Sequence, residues 1–184
     1  KYKNFRYLGD PINAIKIFND KEVDELFFFD ILASQENRCI SLDIVEKIAE
    51  ECFMPFGVGG GITNIEQVRK ILRSGAEKIS INTSSIINES LITEISQEFG
   101  SQSLVVSLDI QKNFFGQKRI SYLNGQKTTN YEINNWVKKI ESLGAGEILV
   151  NCIYNDGLMK GYDLEIIKQI SAAVNIPVIA SCGA

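Results

Sequence analysis

At 184 residues, 45% hydrophobic and 23% charged, the chain has the composition of an ordinary globular domain and the length to bury one core. A net charge of −4 with no Lys/Arg cluster argues against nucleic acid as a partner. No apolar run approaches the roughly 20 residues that span a bilayer, and the opening KYKNFRY lacks the apolar segment of a signal peptide, so the expected compartment is the cytosol, with no membrane contact.

The elements follow one another in a regular order. Asp10-Pro11 offers an N-cap and a proline at the first helical position, predicting a helix over 11–20. Strands are predicted at 25–30 (ELFFFD), 55–60 (PFGVGG), 77–82 (EKISIN), 103–109 (SLVVSLD), 146–152 (GEILVNC) and 176–181 (IPVIAS). Helices fill the gaps at 41–52, 64–74, 88–99, 132–143 and 163–174. The piece at 112–127 reads as a hairpin, because QKRISY alternates and Asn124-Gly125 is a strong turn signal.

Alternating strands and helices with apolar strands predict a parallel sheet under helices, either doubly wound or closed as a (βα)₈ TIM barrel. Two observations favour the barrel. The chain opens on a helix with no strand before it and stops just after a strand, whereas eight units need roughly 250 residues; a single partial barrel over 1–184 is therefore expected, covering about strands 2 to 7 with the hairpin as an insert. In addition, DELFFFDI (24–31) aligns with GEILVNCI (146–153), and MPFGVGGG (54–61) with IPVIASCG (176–183), at the same offset of 122. A half-barrel duplicated once explains that repeat, and a doubly wound sheet does not.

In such a barrel the chemistry lies where the strands end. Those positions are Asp30, Gly59 to Gly61, Asn82 with Thr83, Asp109, Asn151 to Gly157 and Ser181 to Gly183. Glycines there let backbone N–H groups approach a phosphate, or they serve only a tight turn that needs positive φ. Gly60 and Gly61 with Asn82 and Thr83 form one candidate phosphate site; Asp156, Gly157 and Gly183 form a second, implying a substrate phosphorylated at both ends. Asp109 closes the most apolar strand, where burial favours general acid/base use, though a carboxylate capping the next turn explains it equally well. Asp30 has a similar position with a supporting role.

With no histidine and no C-x-x-C among Cys39, Cys52, Cys152 and Cys182, no familiar zinc site can be assembled, and reduced structural thiols are expected. Acid/base work falls to carboxylates and lysines, and no cofactor or metal is called for. At the opposite strand ends, Glu25, Lys78 and Glu147 have alternating sign. They form either a salt-bridged ring or ordinary solvated charges.

The segments GDPINAIKIFNDKEVDELFFFDILAS, PFGVGGGI, EKISINTSS, FGSQSLVVSLDIQK, LGAGEILV, NDGLMKGYD and IPVIASCGA resemble, in order, the HisA/HisF family. The FGSQ-strand-Asp segment and its hairpin resemble the HisF cyclase branch, the synthase subunit that makes imidazole glycerol phosphate, rather than the isomerase branch. The resemblance implies a lyase of histidine biosynthesis: a HisH-like glutaminase docks at the N-terminal face of the barrel, and ammonia passes through to a doubly phosphorylated small molecule. It implies a catalytic role for Asp109, an ammonia gate at Glu25, Lys78 and Glu147, and phosphate contacts at the glycines and polar residues above.

Two departures from the family pattern stand out: Tyr154 replaces an acid and Cys182 replaces a glycine. The family's first catalytic aspartate belongs to a strand that this chain lacks, so the 184-residue piece is expected to be inactive alone. The departures keep two alternatives open: a paralogue delivering ammonia to an N-acetyl sugar of surface polysaccharides, and a silent barrel that only docks and activates a glutaminase.

Overall fold

Asp10 starts the first helix, α1 (Pro11–Asp20), as its chemistry predicts: Oδ1 accepts the Ile12 N–H at 3.0 Å, and the proline occupies a first-turn position whose N–H would have no partner. The computed structural model describes residues 10–183 and divides into two compact units, one running to Ser80 and the other beginning at Ile81.

In the first unit α1 leads to β1 (Leu26–Phe29), α2 (Leu42–Glu51), β2 (Phe56–Gly59), α3 (Ile65–Arg73) and β3 (Lys78–Ile81). The strands pair in parallel, from Leu26↔Phe56 to Phe29↔Gly59 and from Gly57↔Lys78 to Gly59↔Ser80. One sheet face carries Val58 and Ile79, which are buried together with Val45 and Ile48 of α2 and Val68 and Ile71 of α3. Each such side chain contributes about 1.5–3 kcal/mol by leaving water. Asn64 caps α3 by accepting the Gln67 N–H at 3.0 Å, while Gln67 Oε1 accepts the Thr63 N–H at 2.7 Å. This reciprocal arrangement satisfies donors that the helix start leaves open.

The second unit holds α4 (Thr83–Ile87), α5 (Ser90–Phe99), β4 (Leu104–Lys112), β5 (Lys118–Tyr122), β6 (Lys127–Thr128), α6 (Ile133–Ser142), β7 (Glu147–Cys152), α7 (Leu164–Ser171) and β8 (Val178–Ser181). Strand β7 lies between β4 and β8, parallel to both, in register from Val105↔Glu147 to Ile110↔Cys152 and from Ile148↔Val178 to Asn151↔Ser181. Val106, Leu108, Ile110, Ile148, Val150 and Cys152 are buried along with Ile166 and Ile170 of α7 and Val137 and Ile140 of α6.

All six strands expected from the alternation are present, each within a few residues of its expected limits. Two local features differ. Strand β4 continues to Lys112 rather than ending at Asp109, because β5 pairs with it antiparallel from Asp109↔Ser121 to Lys112↔Lys118. The single hairpin expected at 112–127 is thus two reversals, one at 113–117 and one between β5 and β6 with Leu123, Asn124 and Gly125 all at positive φ. The short α4 was not expected; its serine-rich sequence has no strong helix preference, and Ser85 Oγ donates to the Asn82 carbonyl at 2.6 Å to hold the turn.

The repeat has a structural counterpart within each unit. All four β1–β2 pairs reappear in β7–β8 displaced by 122 residues, and α7 starts 122 residues after α2. Among the described residues, no helix is long and apolar enough to cross a membrane.

Candidate active site

Residues in register on neighbouring parallel strands point to the same sheet face, so the pairings Asp109↔Asn151 and Asn151↔Ser181 bring three polar side chains to one face near the strand ends. Asp109 is 3% exposed. A carboxylate buried to that extent needs a donor, and Asn151 Nδ2 supplies one to Oδ1 at 2.8 Å. Just past β8, Cys182 has a left-handed backbone, φ 65°, and its Sγ donates to Asp156 Oδ1 at 3.4 Å. Burial pushes the Cys182 thiol up to about 11, with the charges of Asp156 and Asp109 adding to the effect. Asp109, Asn151, Cys182 and Asp156 therefore form one cluster, drawn from β4, the end of β7, the following loop and the exit of β8.

Gly183 and Gly157 differ in what they do. A Cβ on Gly183 would lie 2.3 Å from the Gly161 carbonyl oxygen, and the Gly161 N–H donates to the Gly183 oxygen at 2.6 Å. The strand exit and the β7–α7 loop thus meet backbone to backbone. Gly157 has φ 68° and open space around it.

Tyr154 is built into that loop. Its hydroxyl donates to Asp163, and Lys112 Nζ sits 4.3 Å above its ring. Burial raises the Tyr154 hydroxyl well above its usual range, reinforced by the bond to Asp163. Asp163 also caps α7 through the Ile166 N–H at 3.2 Å and accepts from Lys118 at 3.0 Å. Burial works against its charge, but the donors from Tyr154, Lys118 and Ile166 outweigh it and hold the carboxyl below its ordinary value. Lys118 reaches Glu165 as well, at 2.7 Å.

At the start of the second unit, Asn82 Oδ1 is buried without a hydrogen-bond partner, which leaves a polar atom to be satisfied by something else. Thr83 is already engaged, its Oγ1 accepting the Leu123 N–H of the hairpin turn at 3.1 Å. Glu147 is the first residue of β7, opposite Val105.

In the first unit the glycines have a direct packing role. Phe27 and Phe29 stack with ring centroids 5.8 Å apart and lie against their register partners. A Cβ on Gly57 would be 2.4 Å from the Phe27 ring and one on Gly59 2.8 Å from the Phe29 ring. Gly60 and Gly61 have positive φ, and a Cβ on Gly61 would stand 1.8 Å from the Arg38 carbonyl oxygen. Their loop packs on the loop after β1, where Asp30 accepts the Leu32 and Ala33 N–H groups at 3.2 Å each and pairs with the Arg38 guanidinium. Asp30 thus anchors a loop. Hydrogen bonds that its guanidinium donates to Asp30 and Glu36 raise Arg38 above its usual value. Lys78 and Glu25 form an ion pair of 2.7 Å at the N-terminal end of this sheet.

Asn151 appeared in the sequence only among the strand ends, with no role attached. The register of the repeat is the signal that finds it. Phe27 and Phe29 opposite Gly57 and Gly59 were missed because strand pairing, not spacing along the chain, brings them together.

Parallel βα repeats, with polar groups gathered where the strands end, define an α/β protein of the TIM-barrel class. The profile of the histidine biosynthesis protein family matches residues 1–184. The chain is 47% identical to an imidazole glycerol phosphate synthase subunit HisF of Alkaliphilus metalliredigens, over 96% of this chain and 70% of the relative. It is 44% identical to the subunit so named in Methanocaldococcus jannaschii, over 100% and 74%, and 47% identical to that of Pyrococcus furiosus, over 100% and 73%. The chain belongs to the histidine biosynthesis protein family.

Proposed function

We propose that the chain is the HisF-type cyclase subunit of an imidazole glycerol phosphate synthase, a lyase that uses ammonia from a glutaminase partner to form imidazole glycerol phosphate and AICAR in histidine biosynthesis. Relatives bearing that subunit name at 44–47% identity over nearly the whole chain support this reading. Neither the sugar-modifying paralogue nor the silent docking barrel draws support from those names.

The observation that carries the reaction is the buried carboxylate of Asp109, held by Asn151 at the strand ends. Building a ring nitrogen from ammonia and a carbonyl moves two protons from the attacking nitrogen to the oxygen that leaves as water, one on addition and one on elimination. A single positioned carboxyl accepts each in turn and passes it on. In this reading Gly60, Gly61, Asn82 and Thr83 receive one phosphate of the substrate through backbone and side-chain donors. Asp156, Gly157 and Gly183 serve the other end, and Asp30 holds the loop after β1 beside Gly60 and Gly61. Glu25, Lys78 and Glu147, each at a strand start, gate ammonia from a glutaminase docked at the N-terminal face. The enzyme works in the cytoplasm.

The test is turnover of the bisphosphate substrate by the full-length protein with an ammonium salt as nitrogen source. Asp109→Asn is expected to lower kcat by at least about 100-fold, the low end of what a general acid/base contributes. An unchanged rate in that variant overturns the reading.

A further inference from the structure

Asp109 is held from two sides. Ser121 Oγ on β5 donates to its main-chain carbonyl at 3.2 Å, and Asn151 on β7 donates to its carboxylate at 2.8 Å. The first bond fixes where the residue sits, and the second fixes how its carboxylate is turned.

The choice of side chain at position 151 is informative. A carboxylate only accepts hydrogen bonds, so the partner must be a donor. A lysine or arginine there would neutralise the charge and hold the proton affinity down, and an aspartate would oppose a like charge across adjacent strands. A leucine would leave a buried carboxylate atom without its donor. An amide orients the group and favours its ionised form without cancelling its charge. We infer that Asn151 is the positioning residue of the reaction, setting the orientation and the proton affinity of Asp109.

The inference rests on Asp109 being the catalytic carboxyl. Ionisable neighbours in the same unit include the Cys182 thiol after β8, which feels the Asp109 charge, and Asp156 in the loop after β7, bonded to that thiol. The raised thiol stays protonated at neutral pH, and the Asn151 donor favours the ionised form of Asp109. Lys112, further along β4, is placed over the Tyr154 ring.

The experiment uses the full-length protein with an ammonium salt and the bisphosphate substrate, and compares Asn151→Leu, Asn151→Asp and Asp109→Asn, with Asn151→Gln as the rescue variant. Two readouts are taken: kcat and KM, and the titration of the Asp109 carboxyl followed by carbon NMR. Loss of the donor is expected to lower kcat by about 10- to 100-fold, the range that misplacement of a catalytic group by about 1 Å produces, with KM within about threefold. The Asp109 titration should move to higher pH in both Asn151 variants. Restoration of the donor in Asn151→Gln should recover part of the rate.

If either Asn151 variant folds and keeps the parental kcat, or leaves the Asp109 titration in place, Asn151 is not the positioning residue. Asn151→Asp has the shape of the native side chain and keeps the test decisive should Asn151→Leu fail to fold. An active Asp109→Asn overturns the catalytic reading itself, whereas an inactive Asp109→Asn beside fully active Asn151 variants overturns only this inference.

Discussion

Glycine positions in this chain that look alike in sequence carry different physical loads. Gly61 and Gly157 both follow a strand and both have left-handed backbones, φ 62° and 68°. An L side chain in that conformation costs about 1–2 kcal/mol. At Gly61 an added Cβ also meets the Arg38 carbonyl oxygen at 1.8 Å, a backbone atom that cannot rotate away, whereas nothing lies within 4 Å at Gly157. Urea unfolding should therefore show Gly61→Ala losing at least twice the stability that Gly157→Ala loses; equal losses would mean that the loop after β1 yields. Cys182 shows the converse, a side chain accepted at φ 65° with a thiol bonded to Asp156.

Among the elements, the contact between β5 and the start of α7 is the best-defined polar junction. Asp163 caps α7 and accepts from both Lys118 and Tyr154, so one carboxylate joins strand, helix and loop. Hydrogen bonds to charged groups contribute about 1.5–3 kcal/mol, which partial solvent access reduces to about 1 kcal/mol. Since the folded protein holds this carboxyl below its ordinary value, its contribution is complete above the unfolded pKa, roughly 3.9, and is lost as pH falls through the lower folded value. Asp163→Asn should thus be about 1 kcal/mol less stable than the parent at neutral pH, and the difference should shrink below about pH 4. A difference that persists unchanged into acid would assign the effect to capping rather than to charge. The double reversal around β5 was hard to read beforehand, because antiparallel pairing extended β4 beyond the polar residue that would normally end it.

For the molecule as a whole, the repeat and the partner matter most. Two units that share strand register at an offset of 122 residues carry different residues at equivalent points: Phe29 and Gly59 in the first, Asn151 and Ser181 in the second. The two units share the duplicated frame, while the buried polar cluster of Asp109, Asn151, Cys182 and Asp156 lies in the second. If Lys78, paired with Glu25 at 2.7 Å, gates ammonia arriving from a glutaminase, Lys78→Met should spare the ammonium-dependent rate. It should lower the glutamine-dependent rate by about tenfold, equivalent to about 1.4 kcal/mol. Parallel losses in both assays would remove the gate role and leave a structural ion pair.

Strand and helix order, the cap at Asp10, the 122-residue repeat and the candidate residues at strand ends were legible along the chain, because apolar period, capping and turn chemistry are local. Other features come from strand pairing, which joins residues far apart in sequence: the Asn151 bond to Asp109, the fit of Phe27 and Phe29 over Gly57 and Gly59, the Lys118–Asp163 junction, and the buried Asn82 Oδ1 without a partner. A side chain's neighbours across a sheet depend on register, and a shift of one residue would turn each of these groups to the other face.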